Sequence, residues 1–352
     1  MAIFGFPNTG KTTLFNALTG LQAPTARHPY STTEPNVGVA VVRDTLLERA
    51  GELEGSAKTV PTALELLDLP PMAGTGRDAM GGRFLGRLRE MDALLGVLRA
   101  FEDESVPGTS GTDPVRQAEE LMLELALADL EVVRRRLERV AKEATADPAK
   151  RGEEKALQAA AQALDEGSPL RLLQWDGEGR FLRDLAPLTL KPVVWVLNLS
   201  EDEEQGAARQ AVEKVVPAGD AVVTLSAKLE EEGTRLSPDE RFELFEGLGL
   251  GEGALARIAE ATHRALGLVS FYTLNDKEAH AWTIGRGATA SEAAGRIHSD
   301  LQRGFIRAEV VGIQALLESG GWDGARRAGL VRVEGRDYPV QEGDVLQVRF
   351  SI

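Results

Sequence analysis

Residues 5–20 read GFPNTGKTTLFNALTG, in which Gly5, Gly10, Lys11 and Thr12 satisfy the spacing G-x-x-x-x-G-K-[ST]. The chemistry served by that spacing is the gripping of a phosphate chain. Backbone N–H groups from Asn8 through Thr9 and Gly10 to Thr13 can wrap a β-phosphate at a helix N-terminus, where unpaired donors and the helix dipole favour negative charge. The Lys11 ammonium would reach the β- and γ-phosphates, and the Thr12 hydroxyl would ligate Mg²⁺. The bland alternative is a glycine-rich turn. A phosphate site of this kind needs a metal-linked acid at the end of a neighbouring strand, and ALELLDLPP carries Asp68 at such a place. An aspartate ending a strand also serves as a helix cap or turn residue. Between the two elements, RHPYSTTEPNVGVAV sets threonines ahead of an E-P-N turn. A threonine hydroxyl there can close over a γ-phosphate and Mg²⁺, or the stretch is ordinary turn chemistry.

Positioning such residues requires strands that end together. Apolar β-type runs occur at AIFGF, at 37–42 (VGVAVV), 63–69 (ALELLDL), 93–101 (ALLGVLRAF), 193–199 (VVWVLNL) and 221–227 (AVVTLSA), separated by helical patterns. Strands alternating with helices predict an α/β fold with a mostly parallel sheet. Residues 113–166 repeat apolar residues at three- and four-residue spacing, broken at DPAKRG, and predict an antiparallel helical hairpin inserted into the α/β domain. From residue 268 short strands surround one helix, which predicts a small α+β domain. The expected organisation is therefore an α/β domain of residues 1–112 and 167–267, a hairpin of 113–166 and a C-terminal domain of 268–352.

The 352 residues include 55 acidic against 40 basic side chains, a net charge of -15, so there is no global attraction to nucleic acid or to an anionic membrane. Contact with RNA would need a local patch, and neither DNA nor a membrane is an expected partner. In RRRLERVAK, residues 134–142, the arginines of one helix can meet rRNA phosphates or form a solvated face with nearby glutamates. Cysteine is absent, which excludes a disulfide scaffold and a thiol nucleophile and suits a cytoplasmic location. No run approaches the roughly 20 apolar residues of a membrane helix.

Taken together, these segments resemble the YchF or Obg-like ATPases, a branch of the translation-factor class of P-loop nucleotidases. GFPNTGKTTLFNALTG is similar to that family's phosphate loop, PYSTTEPNVGV to its switch I, and FLGRLREMDALLGVLRAFEDE to its strand-and-loop segment before the insertion. EAHAWTIGRGATASEAAGRIHSDLQRGFIRAEVV and YPVQEGDVLQVRF resemble its TGS domain, a ubiquitin-like α+β module. The resemblance implies Mg²⁺ held by Thr12, Thr32 and Asp68, and ribosome or rRNA partners met through the hairpin or the TGS domain. It places the base near Asn198, Leu199 and Glu201, where VVWVLNLSEDE is similar to the family's N-x-x-E rather than to the N-K-x-D of GTPases. Without that aspartate the guanine pairing is lost, whereas an asparagine amide can pair with adenine N6 and N7, so the implied ligand is ATP, with GTP bound less well. Without the family, N-L-S-E is as easily an N-cap and first-turn acid. Ser226, Ala227 and Lys228 are similar to the S-A-K loop whose backbone faces the base and whose lysine stem covers it. Asn8 stands where P-loop proteins of this class often use K⁺, a further expected ion.

Three departures touch turnover. The family's D-I-A-G is here Asp68-Leu69-Pro70-Pro71, and proline has no N–H for a γ-phosphate. Met72 occupies the water-positioning place, which is already apolar in the family. Gly108 stands where the family carries the histidine taken to orient the attacking water. His28, His263, His280 and His298 supply no obvious substitute. The expected function is nucleotide-dependent binding to the translation apparatus with slow ATP hydrolysis; the rivals are a hydrolysis-deficient nucleotide sensor and a true GTPase.

Overall fold

The computed structural model describes residues 1–24, 35–70, 81–103, 111–175, 177–200, 205–248 and 253–351. Among them the apolar runs form strands: β1 (Ala2–Phe4), β2 (Asn36–Val41), β3 (Thr59–Val60), β4 (Ala63–Asp68), β5 (Leu94–Arg99), β6 (Val193–Asn198), β7 (Ala221–Leu225), β8 (Leu268–Leu274), β9 (Ala279–Gly285), β10 (Phe305–Gly312), β11 (Arg332–Glu334) and β12 (Asp344–Phe350). The chain divides into two compact units, residues 1–40 with 65–265 and residues 41–64 with 266–352.

In the first unit the strand order is β2-β4-β1-β5-β6-β7. The pairs β1/β4, β1/β5, β5/β6 and β6/β7 are parallel. Every residue of β5 and β6 is buried, as befits central parallel strands covered on both faces. Trp195, midway along β6, packs tilted against Phe4 with ring centroids 6.1 Å apart, and both are wholly buried. Because these strands run the same way, the C-terminal ends of β1, β4, β6 and β7 open on one edge of the sheet. A ligand crevice forms at such an edge.

The segment expected to form a hairpin is two helices, Pro114–Ala146 and Arg151–Asp165. Asp113 caps the first, accepting from Val115 N–H at 3.0 Å, with Pro114 at the position where a missing N–H costs nothing. Leu130, Val133 and Val140 meet Leu157, Ala160 and Leu164 between them. Buried Asp129 accepts from Leu188 N–H, Thr189 N–H and the Thr189 hydroxyl at 2.7–2.9 Å, and from Arg89 at 3.1 Å. It thereby ties the long helix to the loop entering β6.

One expected boundary is corrected. Residues 41–64, read as part of the α/β domain, belong to the C-terminal unit. The helix Thr45–Glu54 buries Leu47 and Ala50 among Tyr272, Leu274, Ala279 and Leu316. Asp44 caps that helix through Leu47 N–H and accepts from the Tyr272 hydroxyl at 2.8 Å, while β3 pairs in parallel with β9. The C-terminal sheet runs β11-β10-β12-β8-β9-β3, with β12 parallel to β8. On its other face the helix Ala290–Ile297, closed by a Thr289/Glu292 capping box, packs Ala290, Ala293 and Ala294 against Phe271, Val310 and Leu346. Phe305 is buried in this cluster, and His280 stacks on half-buried Trp282 with centroids 3.8 Å apart.

Candidate functional site

The stretch after β1 turns sharply into the helix Lys11–Thr19. Asn8 has φ 59° and Gly10 φ 89°, so alternate residues visit the left-handed region that lets backbone N–H groups converge. Gly10 is there for space as well as conformation, since a Cβ would lie 2.3 Å from the Asn198 side-chain nitrogen. The helix first turn, with Lys11, Thr12 and Thr13, contains no acid to compete for its donors. Thr9 is buried and donates to the Phe6 carbonyl at 3.2 Å, bracing the turn.

Lys11 folds back into the concavity. The residue is only 6% exposed, and its ammonium donates to the Phe6 carbonyl at 2.6 Å. Burial lowers its pKa to about 8, with the Asp68 charge opposing. Across from it, Asp68 Oδ2 accepts from the Thr12 hydroxyl at 2.9 Å and from Asn36 Nδ2 at 3.0 Å. Among the described residues Asp68 Oδ1 is buried with no hydrogen-bond partner. Burial raises the Asp68 pKa, held back by donation from Asn36 and Thr12 and by Lys11. The sequence-predicted Thr12 and Asp68 are thus in contact, joined by Asn36, which residue reasoning missed. Its only signal was its place at the end of E-P-N.

The Asn198 side chain, expected to read adenine, makes two backbone contacts. Its Nδ2 donates to the Thr9 carbonyl at 3.0 Å and its Oδ1 accepts from Ala227 N–H at 2.9 Å. The amide therefore clamps the phosphate loop to the loop after β7, using one of its two N–H donors and one of its two acceptor sites. Leu199 is buried, its N–H bonded to the Leu225 carbonyl at 2.8 Å. Ser226 caps the helix Ala227–Gly233 through Leu229 N–H. Lys228 is exposed and lies 3.9 Å from Glu232. Thr32, Glu201, Pro71, Met72, Gly108 and His28 lie outside the described residues.

Comparisons with known proteins bear on this arrangement. Residues 1–133 match the MMR_HSR1 family, described as "50S ribosome-binding GTPase", and residues 268–351 match YchF-GTPase_C, described as "Protein of unknown function (DUF933)". The chain is 40% identical over 360 residues to the "Ribosome-binding ATPase YchF" of Bacillus subtilis (strain 168), covering 99% of this chain and 98% of that protein. The chain belongs to the YchF family. Its likeness to the protein of the same name from Escherichia coli O157:H7 is 37% over 357 residues, 99% of this chain and 98% of the relative. The structure of the Schizosaccharomyces pombe YchF GTPase superposes with a TM-score of 0.83 at 28% identity, over 99% of this chain and 97% of the other.

YchF membership implies a bound nucleotide, typically with Mg²⁺. The residues present fit such an ion. Among the described residues no group of three His, Cys, Asp or Glu could hold a metal by itself. A buried, partnerless carboxylate oxygen beside a hydroxyl at a phosphate loop suits a hydrated Mg²⁺ that shares its shell with phosphate oxygens. Among the described residues no helix is long and apolar enough to cross a membrane.

Proposed function

We propose that this chain binds ATP with Mg²⁺, GTP less well, in the cytoplasm, and associates with ribosomes in a manner set by the bound nucleotide, with slow hydrolysis. The observation that carries the nucleotide reading is the enclosed Lys11 ammonium beside the Thr12–Asp68 pair at the mouth of a helix N-terminus. On phosphate arrival Lys11 would leave the Phe6 carbonyl for a β- or γ-oxygen, while backbone N–H groups from Asn8 to Thr13 hold the rest. Thr12, Thr32 and Asp68 would hold Mg²⁺, which when bound supplies neutralising charge to the phosphates. The base would rest against Leu199 and the Ser226–Ala227–Lys228 loop, with Glu201 in place of a guanine-reading aspartate. Asn8 supports K⁺ as an accessory ion. Calorimetric titration with ATP, GTP and their diphosphates tests this reading. Absence of binding by all four ends it, and tighter GTP than ATP binding turns it toward a GTPase. A second reading, nucleotide sensing without turnover, is favoured by Pro71 and Gly108, and phosphate release measured with ribosomes, Mg²⁺ and K⁺ separates the two.

For the ribosomal contact the C-terminal unit is the better supported of the two expected surfaces. In the hairpin, Arg134 pairs with Asp165, Arg135 with Glu131, Arg136 with Glu153 and Arg139 with Glu143, so this arginine face is compensated within itself. On the C-terminal sheet, exposed Arg307 and Arg349 stand directly opposite each other across β10 and β12. Like charges so placed destabilise a strand pair. Arg349 and Arg326 both donate to Glu309, at 3.1 and 2.9 Å, and Arg326 also pairs with Asp323 at 3.4 Å, leaving two carboxylates for three guanidinium groups. A phosphodiester backbone complements that excess. Ribosome co-sedimentation of Arg307→Ala/Arg349→Ala across a salt series is expected to show weaker binding and a salt slope reduced by about one to two, and an unchanged slope refutes this surface.

A further inference from the structure

We infer that Asn36 is a positioning residue for the metal-linked carboxylate: its amide fixes Asp68 so that the second carboxylate oxygen faces the divalent cation's water shell. The inference rests on the Mg²⁺-nucleotide reading above and deepens it.

Asn36 opens β2, on the strand beside β4, and Asp68 closes β4. A carboxylate has about four lone-pair directions spread over two oxygens, and a terminal carboxyl torsion is soft, so burial alone leaves its plane undefined. Here both donors converge on Oδ2, the Thr12 hydroxyl from one element at 2.9 Å and the Asn36 amide from another at 3.0 Å. Two donors from different directions on one oxygen fix the plane. The outcome is lopsided: Oδ2 is doubly satisfied, while Oδ1 is buried and has no donor among the described residues. An acceptor left so in a protein interior is costly, and more so when charged. Folding accepts that cost at a residue 2% exposed, and the arrangement is relieved once a donor such as a metal-bound water meets Oδ1. Thr12 can keep donating to Oδ2 while its oxygen lone pair ligates the ion, so the grip survives loading. Asn36 is the partner that does not itself touch the metal, which makes its contribution separable from Thr12's.

The bland reading is that Asn36 merely staples the β2 edge to β4. The two differ in what depends on Mg²⁺. For full-length Asn36→Ala and the similarly shaped Asn36→Leu, ADP and ATP affinities are measured by calorimetry first in EDTA and then across a Mg²⁺ series. Affinities in EDTA are expected to stay within about twofold of the parent, while the Mg²⁺ concentration giving half of the metal-dependent gain rises about 10-fold, the usual scale for losing an outer-shell partner. Electron paramagnetic resonance of Mn²⁺ with ADP supplies a second readout at the ion itself, with a weaker and broader bound signal expected in both variants. An unchanged Mg²⁺ midpoint in both variants overturns the inference. So does an affinity loss of equal size with and without metal, which marks a purely structural staple. A parent protein whose nucleotide affinity ignores Mg²⁺ removes the metal reading itself, an outcome visible before any variant is made.

Discussion

The enclosure of Lys11 makes nucleotide binding a proton-coupled event with a calculable size. Burial brings its pKa down from 10.5 to about 8, and Asp68 opposes that fall. At pH 8 about half of the nucleotide-free molecules therefore carry a neutral lysine, and at pH 9 about nine-tenths do. An oxyanion against the amine restores the charged form, so binding takes up about half a proton at pH 8 and about nine-tenths at pH 9 from this group. Linkage then weakens affinity about fivefold between those two pH values. The sign for stability follows from the same difference. Because the folded pKa lies below the unfolded one, the unfolded chain holds more protons between pH 8 and 10.5, and the nucleotide-free protein gains stability from this group as pH rises through that window. The assay is titration with ADP in EDTA, in buffers of widely different ionisation enthalpy, since the slope of observed heat against buffer enthalpy counts protons. Both pH values lie above the range where the terminal phosphate titrates. A slope near zero at both refutes the assignment of Lys11 as a buried phosphate partner, and so does an equal slope at both.

Other substitutions probe the parts separately. Gly10→Ala forces a left-handed backbone and a Cβ 2.3 Å from the Asn198 amide, so nucleotide affinity is expected to fall at least about 10-fold, from strain of about 1–2 kcal/mol and a broken clamp. Calorimetry showing parental affinity refutes this. Asn198→Ala leaves the buried Ala227 N–H without its acceptor, a loss of about 1–3 kcal/mol, and is expected to weaken ATP and GTP alike. A changed ATP-to-GTP ratio in competition binding refutes this and marks the residue as a base reader as well as a clamp. Leu47→Ala removes a fully buried side chain from the C-terminal unit and should cost about 2–5 kcal/mol there. Hydrogen exchange is expected to quicken in β8 and β9 while β5 and β6 keep their protection, and the opposite pattern would put residues 41–64 back in the nucleotide-binding unit.

What could be read from residues alone was what local geometry determines. The phosphate loop is legible because Gly5 to Thr12 act within one turn of chain, where glycine spacing, a lysine and a hydroxyl specify both conformation and chemistry. The parallel strands and the paired helices are legible because burial on both faces, or on one helical stripe, imprints a period on the sequence. Tertiary structure alone decided the partners of Asn36, Asn198 and Asp129, whose bonds reach 32, 189 and 60 residues along the chain. It also decided the allegiance of residues 41–64, because the apolar stripe of the helix Thr45–Glu54 marks which face is buried without marking the core that buries it. A side-chain amide or an apolar stripe carries its chemistry in its own residue type but takes its role from whichever distant backbone or surface the folded chain brings beside it.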